Sequence, residues 1–225
     1  MDRDEGMTGA RLRTPRAAAV AGIVFSVLLI LALVLLTVSV PATPSRAGTW
    51  FSDAGRRRTI ALALNLVPFA GIAFLWFIGV VRDRIGAHED RFFASVFLGS
   101  GLLFVAMLFV GAAFAGGLIT EIAGSTAARP GSDLLATGRV VTSVLLRVYA
   151  MRMAAVFMIS TATITLRTRV VPTWIGIVGY VFAAVLLVSV GLTAWVTLLF
   201  PVWILLLSVD ILRSSMRGMP EASTA

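Results

Sequence analysis

A chain of 225 residues in which 59% of side chains are hydrophobic and 13% charged departs from soluble domains, which run at roughly 45–50% apolar and about 25% charged; with a mean hydropathy of +0.97 it has the composition of a membrane protein. The formal net charge of +8 does not point to nucleic acid, because the basic residues stand at the ends of apolar runs and are not gathered on one solvated surface. The chain has no cysteine and a single histidine, His88, which excludes disulfides, thiolate metal sites, iron–sulfur clusters and a bis-histidine haem within one chain, so neither a metal nor a cofactor is expected.

A helix crosses about 30 Å of hydrocarbon in about 20 apolar residues, and the sequence contains six such runs. The expected fold is therefore all-α, a polytopic bundle of six transmembrane helices over about 17–40, 60–81, 92–117, 139–165, 170–190 and 193–212. A tail at 1–16 precedes it and a tail at 213–225 follows it. The first run has the basic start of a signal peptide, but its apolar core exceeds the usual 7–15 residues, so it is read as an uncleaved helix. With the N-terminus in the cytoplasm, eleven arginines fall on the inner side and six on the outer, which favours both termini inside. The misfit is Arg56-Arg57-Arg58, on the outer side. All the basic residues are arginine, and with abundant Ala, Val and Gly this suggests a high-GC bacterial genome and a plasma-membrane location.

In the second run, "LNLVPFAG" places Asn65 and Pro68 about 9 Å below the outer surface. Proline has no N–H, so the carbonyl of Leu64 wants a donor from elsewhere. The following "GVVRDRIGAH", Gly79 to His88, resembles the loop between the second and third helices of major facilitator transporters, matching it at Gly79, Asp83, Arg84 and Gly86. The resemblance implies a loop that helps gate the cytoplasmic side. The chain departs from the pattern at Ala87 and His88, which replace the basic pair, and in being about half the length of the twelve-span members. A charge-balanced cytoplasmic turn also accounts for this stretch. The third run ends in "GAAFAGG" (111–117), where the spacing of Ala112 and Gly116 suits close helix contact, and Glu121 stands at its outer end.

The fourth run carries Arg147 and Arg152 inside "LLRVYAMRMAA". Arg152 is roughly 20 Å from either flanking arginine, Arg139 or Arg167, and Arg147 is about 12 Å in from Arg139. A midplane arginine costs about 2.5–3.5 kcal/mol on insertion scales unless it faces partners or water. On a regular helix, five positions separate the two by about 140°. Tyr149 shares the face of Arg152, and Ser143 that of Arg147. No carboxylate lies mid-span, so the candidate partners of Arg147 are Glu121, Asn65 and the Leu64 carbonyl. Structural satisfaction by carbonyls, hydroxyls and trapped water is one reading of this pair. The other is an anion site with Arg152, Arg147 and Tyr149 as ligands.

From Val170 to Val209 no charge interrupts the sequence, a length about twice what the bilayer accommodates, so the chain must turn back near Gly191 in "SVGLTAW". Pro201 is expected to bend the last helix, and Asp210 to pair locally with Arg213. Trp50, Trp174 and Trp195 are placed at interfaces, Trp76 and Trp203 deeper. "RAAAVAGIVFSVLLI" (16–30) and "RVVPTWIGIVGYVFAAVLL" (169–187) resemble the first and fifth helices of small, uncharacterised six-span bacterial integral membrane proteins, a resemblance that implies the fold and no activity. No serine has a base beside it and no phosphate loop is present, so an enzyme is not expected. Two functions remain. One is binding or transport of a small anionic solute or lipid through the arginine-bearing fourth helix. The other is a non-catalytic subunit or scaffold that packs in the bilayer with a partner membrane protein or with its own copies.

Overall fold

The computed structural model describes residues 4–39, 54–85, 91–124, 132–168, 171–189 and 194–217, and among these residues every regular element is a helix. In chain order they are α1 (Asp4–Ser39), α2 (Ala54–Ile85), α3 (Arg91–Gly124), α4 (Ser132–Val144), a π-helical turn (Leu145–Tyr149), α5 (Ala150–Thr168), α6 (Thr173–Val188), a 3₁₀ turn (Ala194–Leu198) and α7 (Leu199–Arg217). All-helical architecture is what hydrocarbon demands, because lipid offers no partner for a backbone N–H or C=O.

Among the described residues five stretches are long and apolar enough to cross a membrane: Arg16–Ser39, Gly55–Arg82, Phe92–Thr120, Thr137–Arg167 and Trp195–Met216. The fourth runs unbroken through α4, the π turn and α5. Helix α6, where a full span was expected over 170–190, has 16 residues, or about 24 Å at helical rise. It closes at Ser189, whose N–H bonds the Val185 carbonyl at 2.9 Å. The expected turn around Gly191 lies outside the described residues, as does Trp50. Helix α1 begins at Asp4, so most of the segment expected as an N-terminal tail continues the first helix.

Each helix packs against the next in the chain, and α7 returns to α1, so the spans close into a ring. The facing pairs show that neighbours run antiparallel. Gly71 of α2 meets Phe109 of α3 while Gly101 of α3 meets Ile78; Gly111 meets Leu146 while Gly138 meets Leu118; Gly22 of α1 meets both Phe77 and Ser208. Helix α6 is pinned to its neighbours by two side chains. Trp203 Nε1 donates to the Ile175 carbonyl at 2.9 Å, and the hydroxyls of Thr163 and Tyr180 are 2.7 Å apart. Glycine at 179 is required here, because a Cβ would lie 2.7 Å from the Trp203 ring.

The centre of the ring is filled by phenylalanine. Phe25, Phe74, Phe77, Phe97, Phe104, Phe157 and Phe200 are fully buried. Phe74 is the hub: its ring centroid is 4.5 Å from Phe25, 5.0 Å from Phe157, 5.3 Å from Phe104 and 5.7 Å from Phe200. Those rings come from α1, α5, α3 and α7, so one side chain of α2 touches four other helices. Along their helices the five rings stand about 12 to 20 Å from Arg16, Arg82, Arg91, Arg167 and Arg213, close to half a hydrocarbon core from that basic belt.

One expectation changes. Pro201 does not kink a helix interior: it sits in the first turn of α7, just after the 3₁₀ turn, where the change of winding accommodates its missing N–H. Trp203 is fully buried core, whereas Trp76 is 70% exposed on the outside of α2.

Because hydrocarbon surroundings are as apolar as leucine, packing and not water exclusion holds such helices together. Phe74→Ala therefore loses mainly its contacts, about 3 kcal/mol, the low end of the range for this truncation. Phe69→Ala, at a 63% exposed position of the same helix, should stay within about 0.5 kcal/mol of wild type. Reversible unfolding in mixed micelles, both variants side by side, checks the contrast.

Candidate functional site

The arginine-bearing stretch is the irregular part of the fourth span. At Leu145–Tyr149 the helix widens, and the Ala150 N–H donates to the carbonyl of Leu145, five residues back instead of four. Such turns carry one residue more than an α-helix and recur at functional sites. Arg147 occupies the middle of this one. Pairing over five residues brings positions five apart toward one another, so Arg147 and Arg152 stand on closer faces than the 140° expected of a regular helix.

The two guanidinium groups differ in surroundings. Arg147 and Tyr149 are exposed, Tyr149 by 53%, and Arg152 is half-buried. Among the described residues neither arginine takes part in a hydrogen bond or ion pair. Measured from Phe157, Arg152 is about 7.5 Å and Arg147 about 15 Å toward the Arg139 end. The pair therefore lies to one side of the phenylalanine layer, and Arg147 is at the depth where a hydrocarbon core ends.

The supporting residues are placed elsewhere. Asn65 is exposed on α2, and its Nδ2 donates to the Ala61 carbonyl of its own helix at 2.9 Å. The Glu121 side chain lies outside the described residues, so no contact with it is assigned. Ser143 Oγ donates to the Val140 carbonyl at 2.9 Å. The fourth span packs on α3, with Leu146 against Gly111, and Pro68 lies within an unbroken α2, across a groove whose described lining comes from α2 and α3 alone. The described structure thus brings Arg147, Tyr149 and Arg152 together on one stretch of helix and does not bring Asn65 to them.

Two hydroxyls escape sequence reasoning. Thr142 Oγ1, five residues before Arg147, and Ser208 Oγ, against Gly22, are buried without a hydrogen-bond partner among the described residues. Nothing in their spacing distinguishes them from the many Ser and Thr hydroxyls that bond the carbonyl four residues back, as Ser26 and Thr161 do. At the opposite end of the fourth span the Arg167 guanidinium lies 4.8 Å from the centre of the Phe93 ring, an interfacial cation–π contact. Gly79, Asp83 and Arg84 of the facilitator-like stretch are on α2, which continues to Ile85; Gly86 and His88 lie outside the described residues. No cluster of metal-binding side chains occurs among the described residues.

No protein-family model matches the chain, and no curated protein or solved structure is significantly similar to it.

If the wide turn serves a site and not the packing, deleting Val148 lets the helix close regularly without loss of stability. The expected result is a folded variant whose unfolding midpoint equals or exceeds that of wild type. A loss as large as that of Phe74→Ala would make the turn part of the core.

Proposed function

We propose that this chain is a six-span integral membrane protein, with both termini in the cytoplasm, that binds an anionic ligand on the outer face of its fourth span, with Arg147 and Arg152 as the cations and Tyr149 beside them. The observation that carries this reading is the π turn at Leu145–Tyr149, which turns toward one another, on one side of the ring, two guanidinium groups that have no hydrogen bond or ion pair among the described residues. A guanidinium in or near hydrocarbon needs an anion, carbonyls or water. A lipid phosphate or small carboxylate at the bilayer boundary supplies bidentate, charge-assisted hydrogen bonds.

Binding at the side of the bundle is favoured over passage through it. The ring centre is occupied by Phe74 and its neighbours, and the arginines stand outward of that layer. A lipid headgroup or a solute arriving from the outer surface reaches Arg147 without crossing the core. A second reading rests on the exposure of Arg147 and Tyr149: a partner membrane protein or a second copy covers them and provides a carboxylate.

Native mass spectrometry of the gently extracted protein tests both. An anionic lipid or metabolite retained by wild type and lost from folded Arg147→Leu and Arg152→Leu variants is the expected result. Loss of a co-purified protein instead, with no small ligand in either sample, would favour the subunit reading.

A further inference from the structure

A groove of about 520 Å³ runs between α2 and α3. Its α2 side includes Ala61, Asn65 and Pro68, and its α3 side Phe109, Ala113 and Gly116. Ala61, Asn65, Pro68 and Ala113 are exposed, so the groove opens to whatever surrounds the bundle. Both of its hydrogen-bonding side chains are turned back on their own helices: Asn65 donates to the Ala61 carbonyl and Thr120 to the Gly116 carbonyl at 3.0 Å. The surface left to an occupant is predominantly apolar.

At helical rise the groove extends from about 8 Å to about 24 Å outward of the phenylalanine layer, which is the outer half of a bilayer core and the headgroup zone above it. An apolar cleft at this depth gives water few of the polar partners it needs. Arg58 lies one turn outward of Ala61 on the same helix face, and it is exposed. The floor is therefore apolar and the lip cationic.

We infer that this groove seats one acyl chain of an anionic phospholipid, with the lipid phosphate held at Arg58. The occupant accounts for both halves of the site, since a neutral lipid gains nothing from the lip and a free anion gains nothing from the floor. It also gives a reason for Arg58 standing on the outer side, against the positive-inside pattern. The site is independent of Arg147 and Arg152, which are on another helix.

The test uses the full chain in nanodiscs of equal phosphatidylglycerol and phosphatidylcholine, released and weighed by native mass spectrometry. Wild type should retain, in preference to phosphatidylcholine, one phosphatidylglycerol beyond any held at Arg147. Gly116→Leu fills the groove: a Cβ there meets only Leu64, at 4.0 Å, leaving the longer side chain room to enter the cleft. That variant, and Ala113→Leu as an independent filling, should lose the retained lipid while keeping wild-type circular dichroism and elution. Arg58→Ala should keep a lipid but lower the preference for phosphatidylglycerol about fivefold, the effect of one basic residue at an anionic surface. Arg147→Leu, which removes any lipid held at that arginine, should still retain the groove phosphatidylglycerol. Equal retention of both lipids by wild type, persistence of the lipid in both filled variants, or its loss from Arg147→Leu alone would overturn the inference. A dimer abolished by Gly116→Leu would overturn it in favour of a second copy as the occupant.

Discussion

The contact on which the rest of the molecule depends is the packing of Phe74 against Phe25, Phe104, Phe157 and Phe200. In water, a buried aromatic cluster is favoured by leaving solvent; in hydrocarbon that gain disappears, and what remains is dispersion and the edge-to-face preference of the rings. Such contacts are individually small and need close approach. The sequence permits that approach by placing glycine where helices cross, as at Gly22 against Phe77 and Gly179 against Trp203. The ring thus closes on a solid centre.

A solid centre displaces polarity outward. Most of the hydroxyls inside the bundle bond carbonyls of their own helices, as Ser26, Ser160 and Thr161 do, and contribute nothing to a path between them. The features that ask for an external partner, the Arg147–Arg152 stretch and the groove lipped by Arg58, are on the circumference and on the same side of the phenylalanine layer. The π turn belongs to this arrangement. One extra residue lets α5 keep its inner face on Phe157 while the preceding segment turns its arginine outward, where a uniform α-helix through 144–152 would fix both faces together.

The extent to which this was legible in the sequence follows from what apolar length can and cannot encode. The span positions were readable because hydrocarbon thickness sets helix length directly, and all five membrane-length stretches fall on expected runs. The shortness of α6 was less so: Pro172 and the turn residues around Gly191 bracket it, but an uncharged stretch from Val170 to Val209 gives no charged residue to fix how far the helix runs toward each. The central layer was not readable, because in a uniformly apolar helix the inward face of Phe74 and the outward face of Phe69 carry the same residue type and the usual amphipathic contrast is missing. The arginine pair stood out as two charges in apolar sequence, and its chemistry was readable. Its geometry was not, because no local signal in "LLRVY" separates a π turn from an α-helical one, and the 140° separation of the arginines followed from assuming the latter. Asn65 looked like a partner for Arg147 because both lie at similar depth, but depth alone does not say which helices are neighbours.

The central claim is that the chain meets its ligands at the edge of a closed bundle and not through a water-filled interior. Since the chain has no cysteine, a spin label at Ser160→Cys, a buried position of the fourth span within one turn of Phe157, reports on the interior without background. In lipid vesicles the label should collide rarely with a water-soluble nickel chelate. Ready collision with the chelate would mean that water reaches the fourth span along a cavity, and would contradict the closed bundle described above.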